Sequence, residues 1–160
     1  MTTLDTRPAA AAPGQIDARG PRFGAAVTTL VLALTLVSIP STLSVVLLTL
    51  QTVVFALGSL VGLSAQPYGI LFRRVVRRRL GAPTVFEDPA PPRFAQSVGL
   101  AFAVVGLLGL VTGATAVAYV AVAFALAAAF LNAAFDFCLG CEMYLLGRRA
   151  VASRPRTRST

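Results

Sequence analysis

The chain has two cysteines, Cys138 and Cys141, three residues apart in Phe137-Cys138-Leu139-Gly140-Cys141-Glu142. Two thiols at this spacing can close into a disulfide and exchange it with another protein, or carry sulfane sulfur as a persulfide. A continuous helix sets residues three apart on one face, and Gly140 gives the backbone freedom to bring the two Cβ atoms together. Glu142, four residues after Cys138, shares that face and is a possible proton acceptor for a thiol. Arg148, two turns beyond Cys141, acts in the opposite sense. Asn132 and Asp136 project from roughly the other face and read as an interhelical hydrogen-bonded pair.

Several chemistries are excluded. There is no histidine, so neither a nucleophilic triad nor haem attachment is available; Glu142 stands where a haem motif needs its histidine. A zinc or iron–sulfur site needs about four ligands, which this chain supplies only if two protomers each give both cysteines. No cofactor or metal set is expected from one chain. A thiol or sulfur relay remains, beside the alternative that two small apolar residues simply pack.

The elements that must position this pair are set by charge. Only 12% of the 160 residues are charged, too few to cover a soluble domain of this size. None is charged from Gly24 to Phe72, a run of 49, or from Phe94 to Phe135, a run of 42. One crossing of a bilayer takes about 20 apolar residues, so each run holds two. The predicted fold class is all-α: an integral membrane protein with four transmembrane helices arranged as two hairpins.

All 14 basic residues are arginines, and the net charge is +8. They lie in the N-terminal segment, in the middle loop from Arg73 to Arg93, and from Arg148 onward. Four crossings bring those segments to one side, and the positive-inside rule makes it the cytoplasm, with both termini there. Topology accounts for the arginines, and no nucleic acid is implied. In a reducing compartment a permanent disulfide is not expected, whereas a transient or metal-bound pair is allowed.

Five segments follow. Residues 1–19, rich in Ala, Pro, Gly and Thr and without an apolar period, read as a disordered tail. Residues 20–66 form the first hairpin, turning at Pro40-Ser41, with Ser41 and Thr42 placed to cap the returning helix. The apolar stretch after Gly24 is read as a retained span, since acidic residues precede it and no cleavage site follows. Residues 67–90 form an arginine-rich loop in which Arg73, Arg74, Arg77, Arg78 and Arg79 alternate with apolar side chains. That suits a short helix on anionic headgroups, worth about 1 kcal/mol per arginine. Residues 91–147 form the second hairpin, turning at Thr112-Gly113-Ala114 and ending in the cysteine pair. Residues 148–160 are a basic tail.

Gly58/Gly62 and Gly109/Gly113 have the spacing of close helix packing, within this bundle or in a homo-oligomer. Pro-Arg-Phe occurs at 21–23 and again at 92–94, and Arg-Arg follows each return at 73–74 and 148–149. These matches suggest a parallel internal repeat. Gln51-Thr52 falls mid-span, where a polar side chain bonds a neighbouring helix or lines a path for a permeant.

"IDARGPRF", "PYGILFRRVVRRRLGAP", "PPRFAQSVGLAF" and "AFLNAAFDFCLGCEMYLL" together resemble the bacterial membrane proteins grouped as domain-of-unknown-function family 4395. The ending Phe137 to Cys141 is the most specific part, supported by Arg93 to Gln96. One departure is Asp136, where the resemblance leads us to expect a small residue such as glycine. The resemblance implies a four-helix, multi-pass protein of the bacterial inner membrane with no established activity. It also implies thiol or sulfur traffic, because members are often encoded beside thioredoxin-like and sulfurtransferase proteins. The functional expectation is a relay through Cys138 and Cys141, with a thioredoxin-like or sulfurtransferase partner. The alternatives are a scaffold subunit with packed cysteines and a small sulfur-compound permease using Gln51.

Overall fold

The computed structural model of the protein describes residues 14–83 and 85–153. A two-residue strand β1 (Ile16–Asp17) leads into α1 (Arg19–Ser38), then α2 (Thr42–Ala56), which continues as a π-helical turn, Leu57–Val61. A second helical segment joins α3 (Pro67–Leu71), a π-helical turn Phe72–Val76 and α4 (Arg77–Leu80). Strand β2 (Phe86–Glu87) pairs antiparallel with β1, Ile16 opposite Glu87. Helices α5 (Ala90–Val111), α6 (Thr115–Phe135) and α7 (Leu139–Ala152) complete the chain.

The spans Arg19–Ser38, Thr42–Val61, Ala90–Val111 and Thr115–Phe135 hold 20, 20, 22 and 21 residues. At about 1.5 Å per residue each reaches across a ~30 Å hydrocarbon core, so the chain is a multi-pass membrane protein. Its surface and interior are divided as lipid demands. Leu30, Val37, Leu50 and Leu108 face outward, while Thr35, Ser44 and Gln51 are fully buried beside Leu32, Leu48 and Val122. In lipid no hydrophobic force holds helices together, so close packing and interhelical hydrogen bonds must do so. Gly109 shows the closeness: a Cβ there would fall 2.8 Å from the Ala118 nitrogen.

The four spans form a ring in which α1 touches α2 and α6, and α5 touches α2 and α6; α3 packs on α1 and α7 on α5. The turns fall at Ile39–Ser41 and Thr112–Ala114, where proline and glycine led us to expect them. Three local expectations are corrected. Ser41 is the N-cap of α2, but its side chain makes no capping bond; its carbonyl instead accepts from the Ser44 amide (3.1 Å) and hydroxyl (2.7 Å). Gly62 and Gly113 are turn residues with φ of 128° and 78°, so only Gly58 and Gly109 of the two spacings act in packing. The third correction concerns the last helix. It does not run on through the cysteines but stops at Phe135 and restarts at Leu139.

Residues 1–13 and 154–160 of the expected tails lie outside the described residues. Within the rest of those segments, Ile16–Asp17 is the strand β1, and Arg148 and Arg149 belong to α7.

Both Pro-Arg-Phe motifs make the same contacts. Arg22 Nε donates to the Ala133 carbonyl at the end of α6 (3.2 Å). Arg93 donates to the Ser59 and Leu60 carbonyls at the end of the second span (2.7 and 2.8 Å). Arg22 therefore satisfies one carbonyl, and Arg93 two, near the end of the other half's second span, where a cation is also favoured by the helix dipole. The phenylalanines match too. Phe23 lies 5.7 Å from Phe72, and Phe94 lies 5.8 Å from Tyr144, with interplanar angles of 40° and 46°.

Candidate functional site

Helix α6 ends because Asp136 adopts a left-handed conformation, φ 57° and ψ 27°. The Asp136 amide still reaches Asn132 O (3.2 Å), and the Phe137 amide reaches back to Leu131 O (3.3 Å). The expected side-chain pairing of Asn132 with Asp136 is thus replaced by a backbone bond. The chain then turns, and Cys138 becomes the N-cap of α7 in an extended conformation (φ −88°, ψ 96°). Its sulfur accepts from the Cys141 amide at 3.3 Å, taking the capping role more often filled by Ser, Thr or Asp.

Cys138 and Cys141 are joined by a disulfide, with Cα atoms 5.2 Å apart. They share this site not as neighbours on one continuous helix but as the cap and first turn of α7. A sulfur at a helix N-terminus faces unpaired amides and the positive end of the dipole, which favour negative charge on it. Glu142 sits in the same first turn, bonded through its own amide to Cys138 O (3.0 Å). Its side chain is exposed.

Gly140 fixes the pair against the bundle. A Cβ at 140 would fall 2.6 Å from both Cα and Cβ of Ala95. The two most specific sequence signatures, Arg93–Gln96 and Phe137–Cys141, therefore meet in space at Ala95 and Gly140.

An acidic group missed by the sequence reading lies alongside. Glu87, on β2, is half-buried, and burial together with the charges of Asp136 and Asp17 pushes its carboxyl up to about 7. Asp17 behaves oppositely: burial pushes its carboxyl up, but the Arg19 hydrogen bonds and charge outweigh that and leave it below its ordinary value. The ion pair Arg19–Asp17 closes at 2.9 Å. Among the described residues, no three of His, Cys, Asp and Glu converge as metal ligands.

The remaining candidates are dispersed. Arg73, Arg74, Arg77, Arg78 and Arg79 are all exposed. Arg73 also donates to Ser64 O at 2.7 Å, and with Arg77 borders a pocket of about 460 Å³ that includes Asp17 and Gln96. Gln51 is wholly buried; its Nε2 lies 3.4 Å from Thr28 Oγ1, and its Oε1 accepts from the Tyr68 hydroxyl at 2.9 Å. It ties α1, α2 and α3 together, which is the interhelical bonding expected of a polar residue in mid-span.

No curated protein and no solved structure shows significant similarity to the chain. The pattern of the family described as "Domain of unknown function (DUF4395)" matches residues 16–149, from β1 into α7, and the chain belongs to that family.

Proposed function

We propose that this is a multi-pass protein of the bacterial inner membrane with both termini cytoplasmic. There Cys138 and Cys141 relay electrons by thiol–disulfide exchange with a cytoplasmic thioredoxin-like partner. The orientation is supported by the arginines. Arg22, Arg73 and Arg93 all bond near the ends of the returning helices, the end that bears the cysteines, and the opposite turns carry no charge.

One observation carries the chemistry: the disulfide bridges the N-cap and first turn of α7, with Cys138 as the cap. A partner thiolate attacks Cys141 Sγ. The Cys138–Cys141 bond breaks, its electron pair goes to Cys138 as thiolate, and a mixed disulfide forms at Cys141. Helix amides stabilise the charge that leaves on Cys138, and a better-stabilised leaving thiolate departs faster. The partner's second thiol then attacks the mixed disulfide. Two electrons have passed to the pair, and the partner is left oxidised.

The test is trapping with a thioredoxin whose second cysteine is replaced by serine, so that the mixed disulfide cannot resolve. The oxidised wild-type protein accumulates the adduct, whereas Cys138→Ser and Cys141→Ser, having no disulfide to attack, do not. An adduct that persists in the double variant, or none with the wild type, overturns the reading.

A further inference from the structure

The cysteine pair adjoins a cavity within the bundle, and that cavity shares part of its wall with an outward-facing groove. A cavity of about 280 Å³ lies between α1, α2, α5 and α6, with Cys138 in its wall. Cys141 is not among the lining residues. On the outer face of α5 and α6 runs a separate, almost wholly apolar groove of about 790 Å³, bordered by exposed Val105 and Val120. Val98, Phe102 and Phe124 line both cavity and groove. The Phe102 and Phe124 rings stack at 6.0 Å between centroids, 24° apart. This aromatic pair forms part of the wall shared by the cavity and the groove.

Two amide side chains, Gln96 and Asn132, add hydrogen-bonding capacity to the cavity wall. Gln96 Oε1 accepts from Gln66 Nε2 at 3.0 Å, which sets its –NH₂ as the donor side. An apolar chamber with a few convergent polar groups is the general form of a small-molecule site. Here the chamber adjoins a two-electron couple, shares its wall with an outward-facing apolar groove and offers donors suited to carbonyl oxygens.

From this we infer that the cavity and groove bind an isoprenoid-type quinone, head against Cys138 and tail along α5 and α6, and that this quinone reoxidises the pair. The inference rests on the relay proposed above and closes its cycle. Two S–H bonds break and the Cys138–Cys141 bond forms; two electrons and two protons pass to the quinone oxygens, giving a hydroquinone. The soluble partner engages Cys141 from the aqueous side, and the quinone engages Cys138 from the membrane side.

The experiment uses the full chain in lipid nanodiscs, reduced, freed of reductant and kept anaerobic. Decylubiquinone is the probe. Hydroquinone is followed by ultraviolet absorbance and protein thiols by maleimide mass shift, with exchange of separately prepared oxidised protein against reduced thioredoxin measured in parallel. The expected result is one hydroquinone per disulfide formed, and none in Cys138→Ser. In Ala128→Phe and Asn132→Leu, which fill or depolarise the cavity, quinone reduction falls at least tenfold relative to thioredoxin exchange. A short-chain quinone lacking the decyl tail shows a raised KM, because it forgoes the groove. If thioredoxin exchange proceeds and the quinone is never reduced, the quinone site is wrong and the relay stands. Equal quinone rates in both cavity variants also overturn the site. If neither exchange nor quinone reduction occurs in the wild type, the relay itself falls.

Discussion

Asp136 takes a conformation, φ 57°, that glycine adopts without cost. For a residue with a Cβ the left-handed region costs roughly 1 kcal/mol, somewhat less for aspartate, whose side chain can bond locally. Replacing Asp136 with glycine should therefore stabilise the protein by about 0.5–1 kcal/mol, read as a raised thermal midpoint in detergent. The same change removes one of the charges that hold the Glu87 carboxyl high. The sign of the Glu87 effect follows from the ordinary value of 4.5 and the folded value of about 7. The folded protein keeps the proton more tightly, so this contribution is full below pH 4.5 and is lost as pH rises through about 7. Glu87→Gln should gain roughly 1 kcal/mol over wild type at pH 8 and nothing at pH 4, the figure being reduced by solvent screening of a half-buried group. Denaturation at the two pH values checks it, and an equal difference at both would count against the cluster. The aspartate at 136 was legible as a departure from an expected small residue. Its reason was not, because nothing local in Asn132–Cys141 breaks a helix: no proline is present, and the one glycine lies beyond the break.

At the level of elements, span limits were readable because membrane helices must be charge-free and about 20 residues long, and because Pro40 and Gly113 punctuate them. What the sequence left hidden is what one element does for another. Nothing near Gly140 reveals that Ala95, 45 residues earlier in the sequence, lies against it. Because a Cβ at 140 would overlap Ala95, Gly140→Ala should cost about 1–3 kcal/mol through overpacking. Combining it with Ala95→Gly removes the obstructing methyl and should recover part of that loss, although Ala95→Gly alone costs about 1 kcal/mol of helix propensity. The double-mutant cycle reads the coupling directly, and additive effects would mean that α5 and α7 do not meet there. Thiol exchange should decline with Gly140→Ala as well, since the cap of α7 is held in place by this contact.

Across the whole molecule, the repeated Pro-Arg-Phe had a recognisable spelling but an unrecognisable role, since Arg22 and Arg93 each reach the opposite half. Contacts of α1 with α6 and of α2 with α5 join the halves, as does the pairing of β1 with β2. Each half alone leaves the terminal carbonyls of its returning span without their arginine, at the edge of a medium that offers backbone groups few other partners. Two predictions follow at this scale. Arg93→Ala should cost about 1.5–3 kcal/mol, the range for hydrogen bonds to a charged group, and Arg93→Lys, which cannot serve two carbonyls with a planar fork, should recover only part. More decisively, a chain cut after Ala82 should assemble when residues 1–82 and 83–160 are co-expressed, each half completing the other's helix ends. With an affinity tag on the first half, the second should co-purify from detergent-solubilised membranes, and Arg22→Ala with Arg93→Ala should reduce that recovery severalfold. Halves that accumulate and purify independently would mean that the reciprocal arginines are surface contacts, and that each pair of spans is stable without its counterpart.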